Sequence, residues 1–327
     1  MSGSQRASLR SRDFWLAFLV TMRPYLIFVS GTAGLVGLAF IPRAPLSRLT
    51  MAFIPLLLSY GLGQALTDCF QTDTDALSSP YRPLVKGVVS RRQVLAVSLT
   101  GLGLGVIILA FLNPLLLAFG LLAVLGLLTY TILKRTWWGG PPWNSWIVAL
   151  LPIMGRLVEK GASVGTTLGP RAPLAGPFWL AVAAVFFGYA NFVVMGYFKD
   201  ISADRATGYR TFPVVFGWQR NAVYSDILAA AAALATGAAL LALPRLTIAG
   251  AVSYFAGFSL NIAAQVRIHR HRDENAAHGP IAGVVRSFIL YGLALVLTLQ
   301  PGWTAFAVAF YALFEVVLKA RPEERQV

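Results

Sequence analysis

Acidic residues are scarce in this chain of 327 residues, which contains 13 Asp and Glu against 27 Lys and Arg. Its single cysteine, Cys69, excludes an internal disulfide framework. Charged residues make up only 12% of the chain and hydrophobic residues 57%, which is too apolar for a soluble globular protein of this length. Three histidines lie between His269 and His278 in a charged segment, which we interpret as a solvated loop and not as a metal site.

Long apolar runs occupy most of the sequence, and each has the length of about 17 to 25 residues that a transmembrane helix requires. The sequence therefore predicts an all-α, polytopic membrane bundle of about nine helices, nine to ten, around a central cavity. We expect a cytoplasmic tail at residues 1–22, one transmembrane domain at 23–320 and a C-terminal tail at 321–327. The predicted spans are 25–41, 50–66, 93–112, 114–133, 143–159, 177–198, 221–243, 246–266, 282–299 and 302–319.

The basic residues lie between the apolar segments, which fits contact with anionic lipid and does not favour nucleic acid. Of the 27 Lys and Arg residues, 20 fall on the side of the N-terminus, six on the opposite side, and Arg286 within a span. The positive-inside rule then places the N-terminal side in the cytoplasm. Because Arg is far commoner than Lys, a pattern associated with GC-rich genomes, we expect a bacterial inner membrane.

Two clusters hold five of the few acidic residues: Asp68, Asp73 and Asp75 after the second span, and Asp200 with Asp204 after the sixth. Either cluster alone would be interpretable as a helix end entering water. Both follow an even-numbered span, so both lie on the N-terminal side of the membrane, where they can form one site. Carboxylates are costly beside a bilayer, and two clusters mixed with Lys and Arg indicate Mg²⁺ ions that hold a diphosphate.

Helical geometry supports this hypothesis. If the second span continues as a helix, Asp68 and Asp75 fall within about 20° of each other. Asp200 and Asp204 are spaced i, i+4 and share a helix face. Nearby cations are available to neutralise phosphate oxygens and to stabilise a departing diphosphate. These cations are Arg82, Lys86, Lys134, Lys199 and Arg205.

At these residues the chain resembles the UbiA superfamily of intramembrane prenyltransferases, and in particular its 4-hydroxybenzoate polyprenyltransferases. The resemblance extends from RPYLIFVSG, which begins at Arg23, to GYRTFPVVFG, which ends at Gly217. The family's first motif, N-D-x-x-D-x-x-x-D, is matched by TDCFQTDTD from Thr67 to Asp75 and continues through SSPYRPLVKG. The second motif, D-x-x-x-D after a Lys, is matched intact by KDISAD, which begins at Lys199.

The resemblance implies a role for each matching residue. Metal ligands would be Asp68, Gln71, Asp75, Asp200 and Asp204, although Gln71 replaces the family's central Asp and removes one negative charge. We expect Asp73 to compensate if the helix unwinds there. Arg23 would be a further diphosphate contact, and Tyr130 would lie beside a reacting carbocation, where an aromatic face is favourable.

The implied activity is Mg²⁺-dependent transfer of an isoprenyl group from geranyl, farnesyl or longer isoprenyl diphosphate to an electron-rich acceptor. An aromatic acceptor is the main expectation, and a lipid acceptor is the other. The altered first motif keeps a second possibility open, a terpene cyclase of the same family that consumes no acceptor. A transporter is less favoured, because its acids would be expected in the middle of spans or at broken helices and not at helix ends.

Overall fold

The computed structural model describes residues 7–321, which fold into fourteen α-helices joined by short 3₁₀ turns and loops. The first six residues of the predicted N-terminal tail, and residues 322–327 of the predicted C-terminal tail, lie outside the described residues. The helices are α1 (Arg12–Met22), α2 (Ile27–Ala39), α3 (Leu46–Asp68), α4 (Thr72–Ser78), α5 (Arg91–Leu112), α6 (Leu115–Thr136), α7 (Gly140–Leu157), α8 (Ala175–Gly196), α9 (Ile201–Ala206), α10 (Phe212–Phe216), α11 (Trp218–Leu241), α12 (Ile248–Arg270), α13 (His278–Leu299) and α14 (Thr304–Lys319).

Each predicted span coincides with one long helix, so the prediction of an all-α membrane bundle is confirmed. In residues 7–321, seven helical stretches are long and apolar enough to cross a membrane. The pair α1 and α2 forms an eighth span if the 49° bend between them lies within one crossing. Helices α7 and α12 are not among these stretches. Both carry polar side chains inside the bundle, Asn144 and Arg156 in α7 and Asn261 in α12.

The helix ends form two groups at opposite ends of the bundle. At one end, Thr74 of α4 contacts Asp204 of α9, and the backbone N–H of Ser202 in α9 donates to the carboxylate of Glu274, just before α13. At the other end, Arg48 of α3 donates to the carbonyl of Val158 after α7. The loops that follow α3 and α8 therefore meet at one end, as the even-numbered spans predict.

Helix α1 is part of the bundle and not a free tail. Its N-cap is Ser11, whose hydroxyl accepts a hydrogen bond from the backbone N–H of Phe14 at 3.2 Å. Phe14 and Phe18 are buried in a small cluster with Ala65 of α3 and Val94 of α5. The predicted tail at residues 1–22 therefore contains a helix that packs against the same end of the bundle as the acidic clusters.

Helices α2 and α7 cross closely in the core because small residues face each other. A Cβ atom at Gly37 would overlap the backbone carbonyl of Pro152, and a Cβ at Gly155 would lie 2.7 Å from the carbonyl oxygen of Gly34. Small residues allow such close approach between membrane helices. The crossing fixes the wall of the cavity described next.

Candidate active site

One cavity of about 660 Å³ lies among α1, α2, α3, α5, α6, α7 and α8. Its lining is charged at the end where the two acidic clusters meet. The rest is apolar and extends past Leu109 and Val148 to Met154. Ile54 and Leu104 line the cavity and are also half-exposed on the outer surface, so it opens sideways between helices. A ligand with a charged head and an apolar tail would fit a cavity divided in this way.

The first acidic cluster is built on a broken helix. Helix α3 ends at Asp68 and α4 begins at Thr72, so the expected continuous helix is wrong. Asp68 and Asp75 nevertheless both line the cavity. Asp68 accepts from Arg23 Nη2 at 3.0 and 3.1 Å and from Gln64 Nε2 at 2.6 Å.

Arg82 joins the two carboxylates of this cluster. It forms an ion pair with Asp75 and lies 3.7 Å from Asp68. All three side chains are buried, and buried charges require such partners. Burial raises the pKa of the Asp75 carboxyl, and the adjacent guanidinium of Arg82 acts in the opposite direction.

Asp73 points away from the cavity, so the break in the helix does not bring it in to replace the missing central carboxylate. Its carboxylate forms an ion pair at 2.7 Å with Arg135, and both side chains are 43% exposed. Partial burial acts to raise the pKa of Asp73, but hydrogen bonds from Arg135 and from the backbone of Thr74 outweigh it and lower the pKa. Gln71, in contrast, lines the cavity.

The second acidic cluster also differs from a regular helix. A 3₁₀ turn ends at Asp200 and α9 begins at Ile201, and of the two carboxylates only Asp200 lines the cavity. Asp200 lines the cavity and accepts from Lys199 Nζ at 3.0 and 3.1 Å. Asp204 is fully buried behind the lining and accepts hydrogen bonds from Thr74 and Thr211.

Lys134 links the two clusters. Its Nζ atom donates to Gln71 Oε1 at 2.9 Å and lies 4.0 Å from Asp204 Oδ1. The same ammonium lies 5.5 Å from the ring centre of Tyr197. One cation from α6 therefore contacts residues of both motifs, which the sequence could not reveal from spacing alone.

Not every predicted cation is in the cavity. Arg23, Arg82, Lys134 and Lys199 line it, whereas Lys86 and Arg205 are exposed outside it. Arg205 follows Asp204 directly in α9, and adjacent residues of a helix point in different directions. The structure therefore gives no support to a phosphate contact by Lys86 or Arg205.

Tyrosines form a feature that sequence reasoning largely missed. Tyr130, which was predicted, lines the cavity with Tyr60, Tyr189 and Tyr197. The hydroxyls of Tyr130 and Tyr197 are 3.3 Å apart, and Asn144 Nδ2 donates to the hydroxyl of Tyr189 at 3.3 Å. The four tyrosines come from α3, from α6, and from α8 with the 3₁₀ turn that follows it, so no local sequence motif predicts them. Their aromatic faces lie between the charged end and the apolar remainder.

Known proteins support this description at two levels. The sequence model of the UbiA prenyltransferase family matches residues 26–281, and the chain belongs to that family. Two similar relatives are named digeranylgeranylglyceryl phosphate synthase. The one from Pyrococcus furiosus is 27% identical over 64% of this chain and 72% of its own length. The one from Natronomonas pharaonis is 32% identical over 61% of this chain and 69% of its own length.

Solved structures share the fold. A UbiA homologue from Aeropyrum pernix superposes with a TM-score of 0.67 at 23% identity, over 82% of this chain and 96% of that one. A UbiA homologue from Archaeoglobus fulgidus, solved with DMAPP and Mg²⁺, superposes with a TM-score of 0.62 at 20% identity, over 85% of this chain and 98% of that one. At these identities the likeness shows the fold alone. The predicted family and helical architecture are confirmed.

Proposed function

We propose that this protein transfers an isoprenyl group from an isoprenyl diphosphate to a lipid-borne or aromatic acceptor in an Mg²⁺-dependent reaction. The observation that carries the proposal is the cavity of about 660 Å³, which has carboxylates and cations at one end and apolar side chains along the rest. The diphosphate would occupy the charged end and the isoprenyl chain the apolar part. The homologue from Archaeoglobus fulgidus was solved with a ligand pair of this kind, DMAPP and Mg²⁺.

The oxygen ligands at the charged end suit Mg²⁺. Asp68, Asp75 and Asp200 would hold it, with the amide oxygen of Gln71 and the carboxylate of Asp204 as further oxygen donors. Within residues 7–321, no three or more His, Cys, Asp or Glu side chains form a group that holds a metal unaided. Each Mg²⁺ ion would therefore be bound by one or two of these carboxylates together with substrate phosphates. When bound, Mg²⁺ neutralises charge on the diphosphate.

Four cations would bind the phosphate oxygens: Arg23, Arg82, Lys134 and Lys199. In the reaction the bond between the first isoprenyl carbon and its oxygen breaks, and the electron pair leaves with the diphosphate. Guanidinium and ammonium groups stabilise the charge that develops on this leaving group. Lys86 and Arg205 are not part of the proposal, because they are exposed outside the cavity.

The tyrosine faces would stabilise the allylic cation that remains. Tyr130 and Tyr197 lie beside Lys134, at the boundary between the charged and apolar parts of the cavity. Aromatic faces attract cations, most strongly where water is excluded. The acceptor then donates an electron pair to the cation, a new bond forms, and the acceptor loses a proton.

We propose a glyceryl phosphate lipid as the first acceptor to test. The support is that the relatives are named for digeranylgeranylglyceryl phosphate, and that the cavity opens sideways, where a membrane lipid has access. These names give no support to an aromatic acceptor, which stays a prediction. The proposed orientation, with the charged end in the cytoplasm, rests on the distribution of Lys and Arg. The two relatives are archaeal, so a bacterial membrane stays a prediction.

The experiment measures diphosphate release from geranyl, farnesyl and geranylgeranyl diphosphates by the purified protein in lipid nanodiscs. Each donor is tested with and without Mg²⁺, and with either a glyceryl phosphate lipid or a panel of aromatic acceptors. Asp68→Asn and Asp200→Asn are compared with Asp226→Asn, a matched change to a carboxylate that pairs with His269 away from the cavity.

We expect Mg²⁺-dependent and acceptor-dependent release that both cavity variants abolish and Asp226→Asn retains. Release without any acceptor, with a cyclic hydrocarbon product, would instead identify a cyclase. A folded protein that releases no diphosphate from any donor would contradict the proposal and favour transport.

A further inference from the structure

Two buried threonines join the two acidic motifs behind the cavity. Thr74 Oγ1 of α4 donates to Asp204 Oδ1 at 3.3 Å, and Thr211 Oγ1 donates to Asp204 Oδ2 at 3.1 Å. The half-buried Thr207 lies beside them, with its Oγ1 3.1 Å from Thr74 Oγ1 and 2.8 Å from the carbonyl oxygen of Ala203. The exposed fractions are 2% for Thr74, 1% for Thr211 and 0% for Asp204. Both oxygens of a fully buried carboxylate are thus bound by hydroxyl groups.

This environment distinguishes Asp204 from the other three carboxylates of the site. Asp68 and Asp75 are bound by guanidinium groups, and Asp200 by the ammonium of Lys199. For Asp204 the nearest ammonium, that of Lys134, is 4.0 Å away, beyond hydrogen-bond distance. A buried carboxylate is costly without hydrogen bonds, so the two hydroxyls determine its orientation. Each oxygen keeps a lone pair for a further partner.

The backbone around α9 holds Asp204 in place from the other side. Gly208 has a φ of +77°, the left-handed conformation that commonly ends a helix. This turn lets Tyr209 N–H donate to the carbonyl oxygen of Asp204 at 2.8 Å. It also returns the chain so that Thr211 faces the carboxylate. Thr74, however, comes from the first motif, more than a hundred residues earlier in the sequence.

We infer that Thr74 and Thr211 are positioning residues, which orient Asp204 and fix the first acidic motif relative to the second. The inference rests on the proposed function, because its consequence is the binding of Mg²⁺ with the diphosphate. Groups that hydrogen-bond a metal-binding carboxylate typically contribute 10- to 100-fold to metal affinity or activity. Thr74 matters most, because its hydroxyl is the direct link between α4 and α9.

A threonine can act through its hydroxyl or only through its shape, and two substitutions separate these roles. Thr74→Val keeps the branched shape and removes the hydroxyl. Thr74→Ser keeps the hydroxyl and removes the methyl group. Thr72→Val is the matched control, because Thr72 lies in the same short helix and is exposed. If Thr74 only fills space, Thr74→Ser will weaken metal binding more than Thr74→Val does. If the hydroxyl of Thr74 orients Asp204, Thr74→Val will weaken it more.

The first readout is binding of Mn²⁺, as a paramagnetic substitute for Mg²⁺, to the full-length protein with an unreactive thiolodiphosphate analogue of the donor. The second is the Mg²⁺ concentration that gives half-maximal diphosphate release. We expect Thr74→Val to raise the dissociation constant of Mn²⁺ and the half-maximal Mg²⁺ concentration, each by about 10- to 100-fold. Thr74→Ser should remain close to the unsubstituted protein, and Thr72→Val should not differ from it. Thermal unfolding of each variant shows whether the fold is intact.

A double-mutant cycle tests whether Thr74 acts through Asp204. In an Asp204→Asn background, Thr74→Val should have no further effect on Mn²⁺ binding. Full additivity of the two changes would overturn the inference, and so would normal metal binding by Thr74→Val. Loss of binding in Thr74→Ser equal to or greater than that in Thr74→Val would also overturn it, because an orienting hydroxyl, which Ser retains, should preserve binding.

Failure of the proposed function is a separate outcome. In that case the unsubstituted protein would release no diphosphate and would show no Mn²⁺ binding that depends on the donor analogue. An active unsubstituted protein with an unaffected Thr74→Val variant would refute only the role of Thr74.

Discussion

At the scale of single residues, neighbouring acids in the same motif have opposite environments. Asp75 lies in the cavity with Arg82, whereas Asp73 pairs with Arg135 on the surface. The sequence DTD cannot distinguish them, because their orientation depends on where α3 breaks. The break places Asp68 and Asp75 together and directs Asp73 outward. Gln71 remains in the cavity as a neutral oxygen donor.

The first prediction contrasts Asp75→Asn with Asp73→Asn. We expect Asp75→Asn to abolish most activity, because it removes a cavity carboxylate and leaves the buried Arg82 without its closest partner. Asp73→Asn breaks only an exposed ion pair, so it should retain activity and change the free energy of unfolding by about 0–1 kcal/mol. Diphosphate release and thermal unfolding in detergent measure the two effects. Equal loss of activity in both variants would contradict the assignment.

The second prediction concerns the ring of Tyr130. If its aromatic face stabilises the reacting cation, Tyr130→Phe should retain most activity, since the ring is kept and only hydroxyl contacts, such as that to Tyr197, are lost. Tyr130→Leu should lower kcat about 30-fold, which corresponds to a desolvated cation–π interaction of about 2 kcal/mol. Single-turnover rates of diphosphate release provide the measurement. If Tyr130→Phe is as slow as Tyr130→Leu, the hydroxyl and not the ring is what matters.

At the scale of helices, glycines determine how closely α2 and α7 pack. Gly37 lies directly against the carbonyl of Pro152, and Gly34 and Gly155 face each other beside it. The cavity wall contributed by α7 includes Val148 and Leu151. The position of that wall therefore depends on a close backbone contact, which any residue larger than glycine would prevent.

The third prediction compares two Gly→Ala changes in helices. Gly37→Ala should destabilise the protein by about 1–3 kcal/mol, because the added methyl overpacks the crossing of α2 and α7. Gly103→Ala in α5 meets nothing within 4 Å. It should be neutral or stabilising by up to about 1 kcal/mol, because alanine favours the helix. Thermal unfolding in detergent compares them. A Gly37→Ala variant as stable as Gly103→Ala would refute the close-packing argument.

At the scale of the whole molecule, the two acidic motifs lie at one end because the chain crosses the bundle between them an even number of times. Basic residues are concentrated at this same end, which the positive-inside rule assigns to the cytoplasm. The cavity then extends from that surface towards the middle of the bundle. Its sideways opening connects it to the bilayer.

The fourth prediction is the orientation in the membrane. Cys69 is the only cysteine in the sequence and is buried, so Cys69→Ala gives a background without thiols. In that background, Lys160→Cys should react with a membrane-impermeant maleimide on intact cells. Arg272→Cys, at the end with the acidic motifs, should react only after the cells are lysed. The reverse labelling pattern would place the cavity mouth outside the cytoplasm.

Much of the architecture follows from the sequence because it depends on local properties. The length of each apolar run predicted a membrane helix, and the number of spans predicted that the two acidic motifs lie at the same end of the bundle. The two acidic motifs also singled out Asp68, Asp75 and Asp200, all of which line the cavity. Regular helical geometry failed after Asp68, where the helix breaks, and it changed at Asp200, where a 3₁₀ turn passes into α9. A constant rotation of about 100° per residue does not apply at these points.

The sequence by itself therefore determined the class of fold, the family and which acidic segments meet. Tertiary structure decided which side chains of those segments face the cavity. It placed Asp204 behind the lining under Thr74 and Thr211, left Lys86 and Arg205 outside, and brought Lys134 between the motifs. It also brought together tyrosines from α3, α6 and the α8 region. The physical reason is that apolar length and charge are properties of a segment. The direction of a side chain instead depends on helix breaks and on packing between segments distant in the chain.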